Sequence, residues 1–281
     1  MLEALIAEVQ AQPVLDGPPP PVLGPTPYQC VARQALQRVG FGVSAVVLVL
    51  AGSKTVWVAG RCHRVAAGEL LLLPALAEPD VVNEPGTVPH RGVVVRFEAG
   101  LVAAYQETHG VYEAHAAARW TAPAPAEVVL ALLQWFQWQR FSRPDGQWVA
   151  HRTQELLRLL VGAGLAGNLL QGPGPDLRQQ LVAYMRAEPT RLWQVDEVAR
   201  SFGQSESTLR RRLREQGTGF RDLLEEARLS HGLQLLQSTR WPVARVALAS
   251  GYQSQSRFSE RFKLRFGMLP GELRRSTGLV G

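Results

Sequence analysis

The sequence predicts an α+β protein of two domains: a small N-terminal β-barrel followed by helices, then an all-α domain carrying two helix-turn-helix units. Three observations predict it. The excess positive charge is confined to the C-terminal part, two stretches of that part repeat one another at helical spacing, and the early part alternates short apolar runs with turns.

With 281 residues the chain has room for two ordinary domains, each able to bury its own core. A composition of 46% hydrophobic and 19% charged residues is that of a folded chain and argues against disorder. The opening Met1-Leu2-Glu3-Ala4-Leu5-Ile6-Ala7-Glu8 carries acids where a secretory signal carries basic residues. The longest apolar run, 43–51 with Ser44 inside it, is too short to cross a bilayer. A cytoplasmic protein without a membrane partner is therefore expected. Cys30 and Cys62 are too few for a disulfide framework or a structural zinc site, and no cofactor, metal or catalytic residue is expected.

Residues 171–175, Gln-Gly-Pro-Gly-Pro, read as a linker. Beyond it, residues 176–281 hold 18 Arg and Lys against 11 Asp and Glu, a net +7. Residues 1–175 hold 12 against 13, a net −1. Confinement of the excess to one domain is the footprint of polyanion binding.

The repeat lies in this basic part. Val198-Ala199, Gly203, Ser205, Leu209, Leu213 and Gly217 correspond to Val246-Ala247, Gly251, Ser254, Phe258, Phe262 and Gly267. A small alanine lets two helices cross closely, and the glycine ends the first helix in a left-handed conformation. The serine supplies an oxygen to cap the second helix, whose Leu or Phe pair four apart faces inward. The outer face then carries Ser207, Arg210, Arg211 and Arg214 in the first unit, and Gln255, Ser256, Arg257, Glu260 and Arg261 in the second. The arginines of the first unit crowd like charges, a pattern that phosphates would relieve, and arginine can grip guanine O6 and N7 together. Residues 220–238 read as a long helix spacing the units, ended by Trp241-Pro242. Two such helices entering the major groove from one side would lie about one turn, ~34 Å, apart.

Gly251-Tyr252, Ser254, Ser256, Phe258, Phe262-Lys263, Gly267 and Pro270, with Arg228-Leu229 and Ser205, Leu209 and Leu213, resemble the signature of the AraC/XylS family of transcription regulators. The resemblance covers about residues 176–276. It implies a seven-helix domain on double-stranded DNA, with Ser207, Arg210 and Arg211 facing bases in one groove segment and Gln255, Ser256 and Arg257 in the next. It also implies RNA polymerase as a partner. Three positions depart from the family pattern. Glu260 stands in place of an arginine, leaving Arg261 as the substitute contact. Gly232 stands in place of an alanine, at about 1 kcal/mol of helix propensity. Leu273 stands in place of an aromatic residue.

In the acidic part, residues 1–27, with seven prolines at 13–27, read as a flexible arm. Strands are expected at 46–50, 55–58, 70–73 and 92–97, and helices at 101–108, 127–141 and 148–161. A barrel followed by helices over 28–170 resembles the cupin-like sensing and dimerisation domain of AraC-type regulators. An anionic small-molecule effector could use Arg61, His63, Arg64, His90 and Arg91; a solvated hairpin rim is the plainer reading of any one of them. The apolar residues of 148–161, with Val128-Val129-Leu130 and Leu132-Leu133, fit either a homodimer interface or packing on the chain's own barrel.

Other readings compete for this half. A metal-dependent cupin enzyme needs a His-x-His pair, and the chain has none. Cys62-His63-Arg64-Val65 resembles the reactive tetrad of DNA alkyl-transfer proteins, but Arg61 stands where that family has proline and its zinc-binding cysteines are missing. The N-terminal half could instead take a protein partner and no effector.

Overall fold

A computed structural model describes residues 1–12, 24–58, 60–75, 77–110, 119–141, 145–170 and 177–279. The sequence-expected linker at 171–175 lies outside the described residues. Among its described residues the N-terminal half has nine strands: β1 (Thr26–Cys30), β2 (Gln34–Leu36), β3 (Ser44–Ala51), β4 (Ser53–Val58), β5 (Arg61–Ala66), β6 (Glu69–Leu73), β7 (Asp80–Glu84), β8 (His90–Phe97) and β9 (Thr121–Pro123). They form two antiparallel sheets, one ordered β1-β8-β3-β6-β9 and the other β2-β7-β4-β5. The expected barrel is therefore a pair of facing sheets.

Around them lie α1 (Leu2–Gln10), α2 (Ala99–His109), α3 (Ala126–Gln139), α4 (Gly146–Gly162) and the short α5 (Gly167–Leu170). The first is a correction. Residues 2–10 are not part of an arm, because Leu2, Leu5, Ile6 and Val9 recur at helical spacing and pack α1 on α3, with Leu5 and Val9 buried.

Every residue of β3 is buried, since the larger sheet is covered on both faces. The two-residue period of a strand divides its side chains. Val46, Leu48 and Leu50, with Leu70, Leu72, Val93, Val95 and Phe97, face α1–α5. Ala45, Val47 and Val49, with Leu71 and Leu73, face the smaller sheet through Leu36, Val56, Val65 and Val81.

The C-terminal half comprises α6 (Leu177–Ala187), α7 (Val195–Ser201), α8 (Glu206–Glu215), α9 (Phe220–Ser238), α10 (Val243–Ala249), α11 (Gln255–Phe266) and α12 (Pro270–Thr277). Its first part has a core of its own, in which Leu181, Met185, Val198, Ala199, Leu209, Leu213, Leu223 and Ala227 meet. The second part does not. Leu229, Leu233, Val246, Phe258, Phe262, Phe266 and Leu273 belong to one continuous core with the inter-sheet residues Leu36, Phe41, Val47 and Val81.

Hydrogen bonds follow the same seam. Gln37 N–H donates to Phe266 O (2.9 Å) and Val31 N–H to Ser276 O (2.7 Å). Arg38, in a left-handed conformation (φ 46°), donates from its guanidinium to Leu264 O (2.8 Å) and from its backbone N–H to Asp80 Oδ1 (2.8 Å). Glu78 accepts from Arg178 of α6 (2.8 Å) and is ion-paired with Arg265 of α11 (3.0 Å), and Arg178 also reaches Glu226 of α9 (2.7 Å).

Candidate nucleic-acid interface and inter-domain cavity

Each helix-turn-helix unit is built as its sequence requires. Gly203 (φ 64°) and Gly251 (φ 80°) take the left-handed turn that only glycine adopts freely. At Gly251 a Cβ would also sit 2.4 Å from Pro189 O. Ser205 caps α8 by accepting from Thr208 N–H (3.2 Å), and Ser254 caps α11 by accepting from Arg257 N–H (3.3 Å). Leu209 and Leu213, and Phe258 and Phe262, are buried under their helices. Arg228 donates to Pro189 O (2.9 Å) and Arg191 O (3.2 Å), fixing the α6–α7 connection to α9. Gly232 is needed for close packing: a Cβ there would lie 2.7 Å from the Phe258 ring.

Opposite these buried stripes, Ser207, Arg210, Arg211 and Arg214 are all exposed on α8, as are Gln255, Ser256 and Arg257 on α11. The like-charge crowding expected on α8 is relieved within the helix itself. Arg210 Nε donates to Glu206 Oε1 (2.7 Å) and Arg211 Nη1 to Glu215 Oε1 (3.0 Å), both at the i,i+4 spacing that puts acid and base on one face. Ser207 Oγ lies 3.0 Å from the capping Ser205 Oγ. Arg261 is turned toward the spacer helix, giving Nε (2.8 Å) and Nη2 (2.6 Å) to Glu225. That ion pair, with both nitrogens on Glu225 Oε1, braces α11 against α9.

The expected effector residues do not converge. Arg61, His63 and Arg64 lie on β5, an outer strand of the smaller sheet, where alternation sends Arg64 to the face opposite Arg61 and His63. His63 stacks on Trp120 with ring centroids 5.6 Å apart. His90 and Arg91 lie on β8 of the other sheet; His90 is buried beside Tyr28 (Nε2 to Oη 3.3 Å), and Arg91 faces Gln10 of α1. Cys62 is exposed on β5. The apolar residues of α3 and α4 named for a dimer are mostly used inside the chain: Val128, Val129, Leu132, Leu156, Leu157 and Leu160 are buried against the larger sheet, while Leu130 is exposed.

A cavity that sequence reasoning missed opens where the space between the sheets meets α9. Its cavity volume is about 60 Å³, and it opens broadly to solvent at its mouth. Leu36, Val39, Phe41, Val47, Val81, Val94 and Leu233 form its apolar wall, and Lys54, Arg96 and Arg186 enter it with no carboxylate among the lining residues. Lys54 Nζ donates to Asn83 Oδ1 (2.5 Å) and lies 5.3 Å from the centre of the Tyr28 ring. A Cβ on Gly92 would meet that ring at 2.5–2.7 Å, so glycine there is what lets Tyr28 lie across β8.

Burial pushes Lys54 down to about 8. Burial and the Arg186 charge lower Arg96, and burial lowers Arg186, both against the opposing charge of Glu98. Arg186 donates to Gln234 Oε1 (3.1 Å). Asn83 donates to Gln34 Oε1 (3.2 Å) and Gln34 to Ser276 Oγ (2.9 Å), so a buried chain runs from the cavity lysine to α12. The three cations sit at positions 54, 96 and 186, and no local spacing in the sequence joins them.

Among the described residues no helix is long and apolar enough to cross a membrane. A family model described as a helix-turn-helix domain matches residues 198–276. Over 96 residues the chain is 31% identical to the urease operon transcriptional activator of Escherichia coli, covering 34% of this chain and 32% of the relative. Over 82 residues it is 43% identical to the HTH-type transcriptional regulator GlxA of Rhizobium meliloti (29% and 25% covered). Over 105 residues it is 33% identical to GadX of Escherichia coli (37% of each covered). The chain therefore spans about a third of the length of these relatives.

The whole fold is similar to that of ToxT from Vibrio cholerae. The TM-score is 0.62 at 13% identity for an apo variant (90% of this chain, 97% of that one), and 0.61 at 15% for the wild type with an unsaturated fatty acid bound (92% and 96%). With its capped second helices, glycine turns and buried Leu and Phe pairs, the basic C-terminal domain is a helix-turn-helix domain similar to those of these transcription regulators.

Proposed function

We propose that the chain is a sequence-specific DNA-binding transcription regulator whose grip on DNA is set by an anionic, partly apolar effector in the cavity between the sheets and α9. The DNA reading is carried by the pair of capped recognition helices with exposed arginine and glutamine faces on a domain of net +7. Selection from a random duplex pool tests it: one enriched site and a steep loss of affinity with salt are expected, since each phosphate contact releases roughly one counterion. Arg210→Ala should weaken that site by ~1–3 kcal/mol and relax preference at one base. Uniform weakening on all sequences would make Arg210 a phosphate clamp instead.

The effector reading is carried by three cations at one cavity beside an apolar wall, which outnumber the Glu98 carboxylate acting on Arg96 and Arg186. Buried charges of one sign are costly unless something of opposite sign joins them. A carboxylate with a hydrocarbon tail meets both walls, and the unsaturated fatty acid held by ToxT, whose fold this chain shares, supports that class. A long-chain unsaturated carboxylate should raise the melting temperature of the wild type, while its methyl ester should not. Lys54→Met should abolish the shift. Equal shifts from acid and ester would remove the charge requirement.

A further inference from the structure

Arg210 and Arg211 are neighbours on α8, yet their guanidinium groups are drawn in opposite directions. Glu206, in the first turn, takes Arg210 by Nε (2.7 Å) and pulls it toward the N-terminal end of the helix. Glu215, the last residue, takes Arg211 by Nη1 (3.0 Å) and pulls it toward the C-terminal end. In helix-turn-helix domains the N-terminal residues of the recognition helix reach base edges. The atoms matter as well. With Nε held by Glu206, Arg210 keeps Nη1 and Nη2 for a partner, and two amino groups in one plane match guanine N7 and O6.

We infer that Glu206 is a positioning residue for specificity: it holds Arg210 end-on toward a guanine, at a cost in general DNA affinity. The inference rests on the DNA-binding reading above and deepens it. A carboxylate on a phosphate-facing helix repels the backbone of every sequence alike, whereas its hydrogen bond to Nε benefits only the sequence that Arg210 reads. Affinity and discrimination should therefore move in opposite directions when Glu206 is removed. A surface ion pair kept only for helix stability would not separate them.

The experiment uses the full chain, the site enriched from a random duplex pool, and a duplex of scrambled sequence. Base preference is read for the wild type, Arg210→Ala, Glu206→Ala and Glu206→Gln. Arg210→Ala first identifies which guanine depends on Arg210. Glu206→Ala should then bind the scrambled duplex more tightly, while losing about fivefold or more of its discrimination at that guanine. Glu206→Gln keeps an acceptor oxygen without the charge, so it should bind more tightly too but retain discrimination. Unchanged discrimination in Glu206→Ala overturns the inference, and so does Glu206→Gln losing as much as Glu206→Ala. If Arg210→Ala alters no base preference, the inference falls while the regulator reading stands. If the wild type enriches no sequence, both fall.

Discussion

The two helix-turn-helix units follow one pattern and are held in place by different means. The first closes on its own residues: Leu209 and Leu213 pack with Leu181, Met185 and Val198, and the core stops there. The second is continuous with the N-terminal sheets, where Phe258, Phe262 and Phe266 share a core with Leu36, Phe41 and Val47. Gln37 and Arg38 cap the last carbonyls of α11, Glu78 holds its Arg265, and the Lys54–Asn83–Gln34–Ser276 chain reaches α12 from the cavity. The difference teaches that sequence symmetry between repeats need not mean mechanical symmetry. The position of α11 depends on residues of the other domain, and that of α8 depends chiefly on its own.

The sharpest way to break this comparison is to open each core in turn. Phe258→Ala should cost ~3–5 kcal/mol and Leu209→Ala ~2–5. Their reach should differ: hydrogen exchange should accelerate in β2 and β7 as well as α11 for Phe258→Ala, but only across residues 177–227 for Leu209→Ala. Exchange confined to the C-terminal domain in both would disprove the shared core.

Next in size is Lys54→Met. It removes a buried cation but leaves Asn83 without its donor, so a net gain of about 1–2 kcal/mol is expected at pH 7 without effector. The folded protein releases the Lys54 proton near 8, well below the ordinary lysine value of 10.5. The unfolded chain binds more protons between those values, and wild-type stability gains from this group as pH rises through them. The advantage of the variant should therefore shrink from pH 7 to pH 10 in paired denaturant titrations. A constant gap would show that the charge of Lys54 is not what burial penalises.

Gly232→Ala sharpens the comparison from inside the spacer helix. Helix propensity alone favours alanine by about 1 kcal/mol, but the Phe258 ring leaves no space for its methyl group. A net loss of about 1–2 kcal/mol in thermal or denaturant unfolding is expected; a gain would mean that the ring can move aside.

Smallest is Glu78→Gln, which leaves Arg178 and Arg265 half-satisfied at a cost of about 1 kcal/mol. Exchange at the C-terminal end of α11 should quicken while α8 is unchanged. The flanking arginines hold the Glu78 carboxyl below its usual range against the opposing effect of burial. Its stabilisation is therefore present above the ordinary carboxylate value and lost as pH falls through the lower folded one.

The sequence makes the C-terminal domain legible because each step of its motif is local: Ala199 to Gly203 to Ser205 to Leu209 lies within a few turns of chain. Pairing within α8 is legible too, in Glu206 and Glu215 four residues from their arginines, although the arginine run between them dominates the stretch. The same holds for α1, whose 2, 5, 6, 9 spacing was masked by the prolines that follow. The central strands β3, β6 and β8 of the larger sheet show as apolar runs because both faces are covered, whereas β2, β7 and β9 are short and mixed in character. The cavity is the hardest case. Lys54, Arg96 and Arg186 come from two strands and a helix far apart in the chain, and only the packing of α6 and α9 against the sheets brings them together.

The seam between the halves has a practical corollary. A break chosen at residues 171–175 follows the chain but not the core. A C-terminal fragment severed there would carry Leu229, Leu233, Phe266 and Leu273 with part of their cover removed. Such a fragment would tend to self-associate, and its DNA affinity would describe a second recognition helix released from its mount. The unit of function in this molecule is drawn by packing and crosses the boundary that the charge distribution marks.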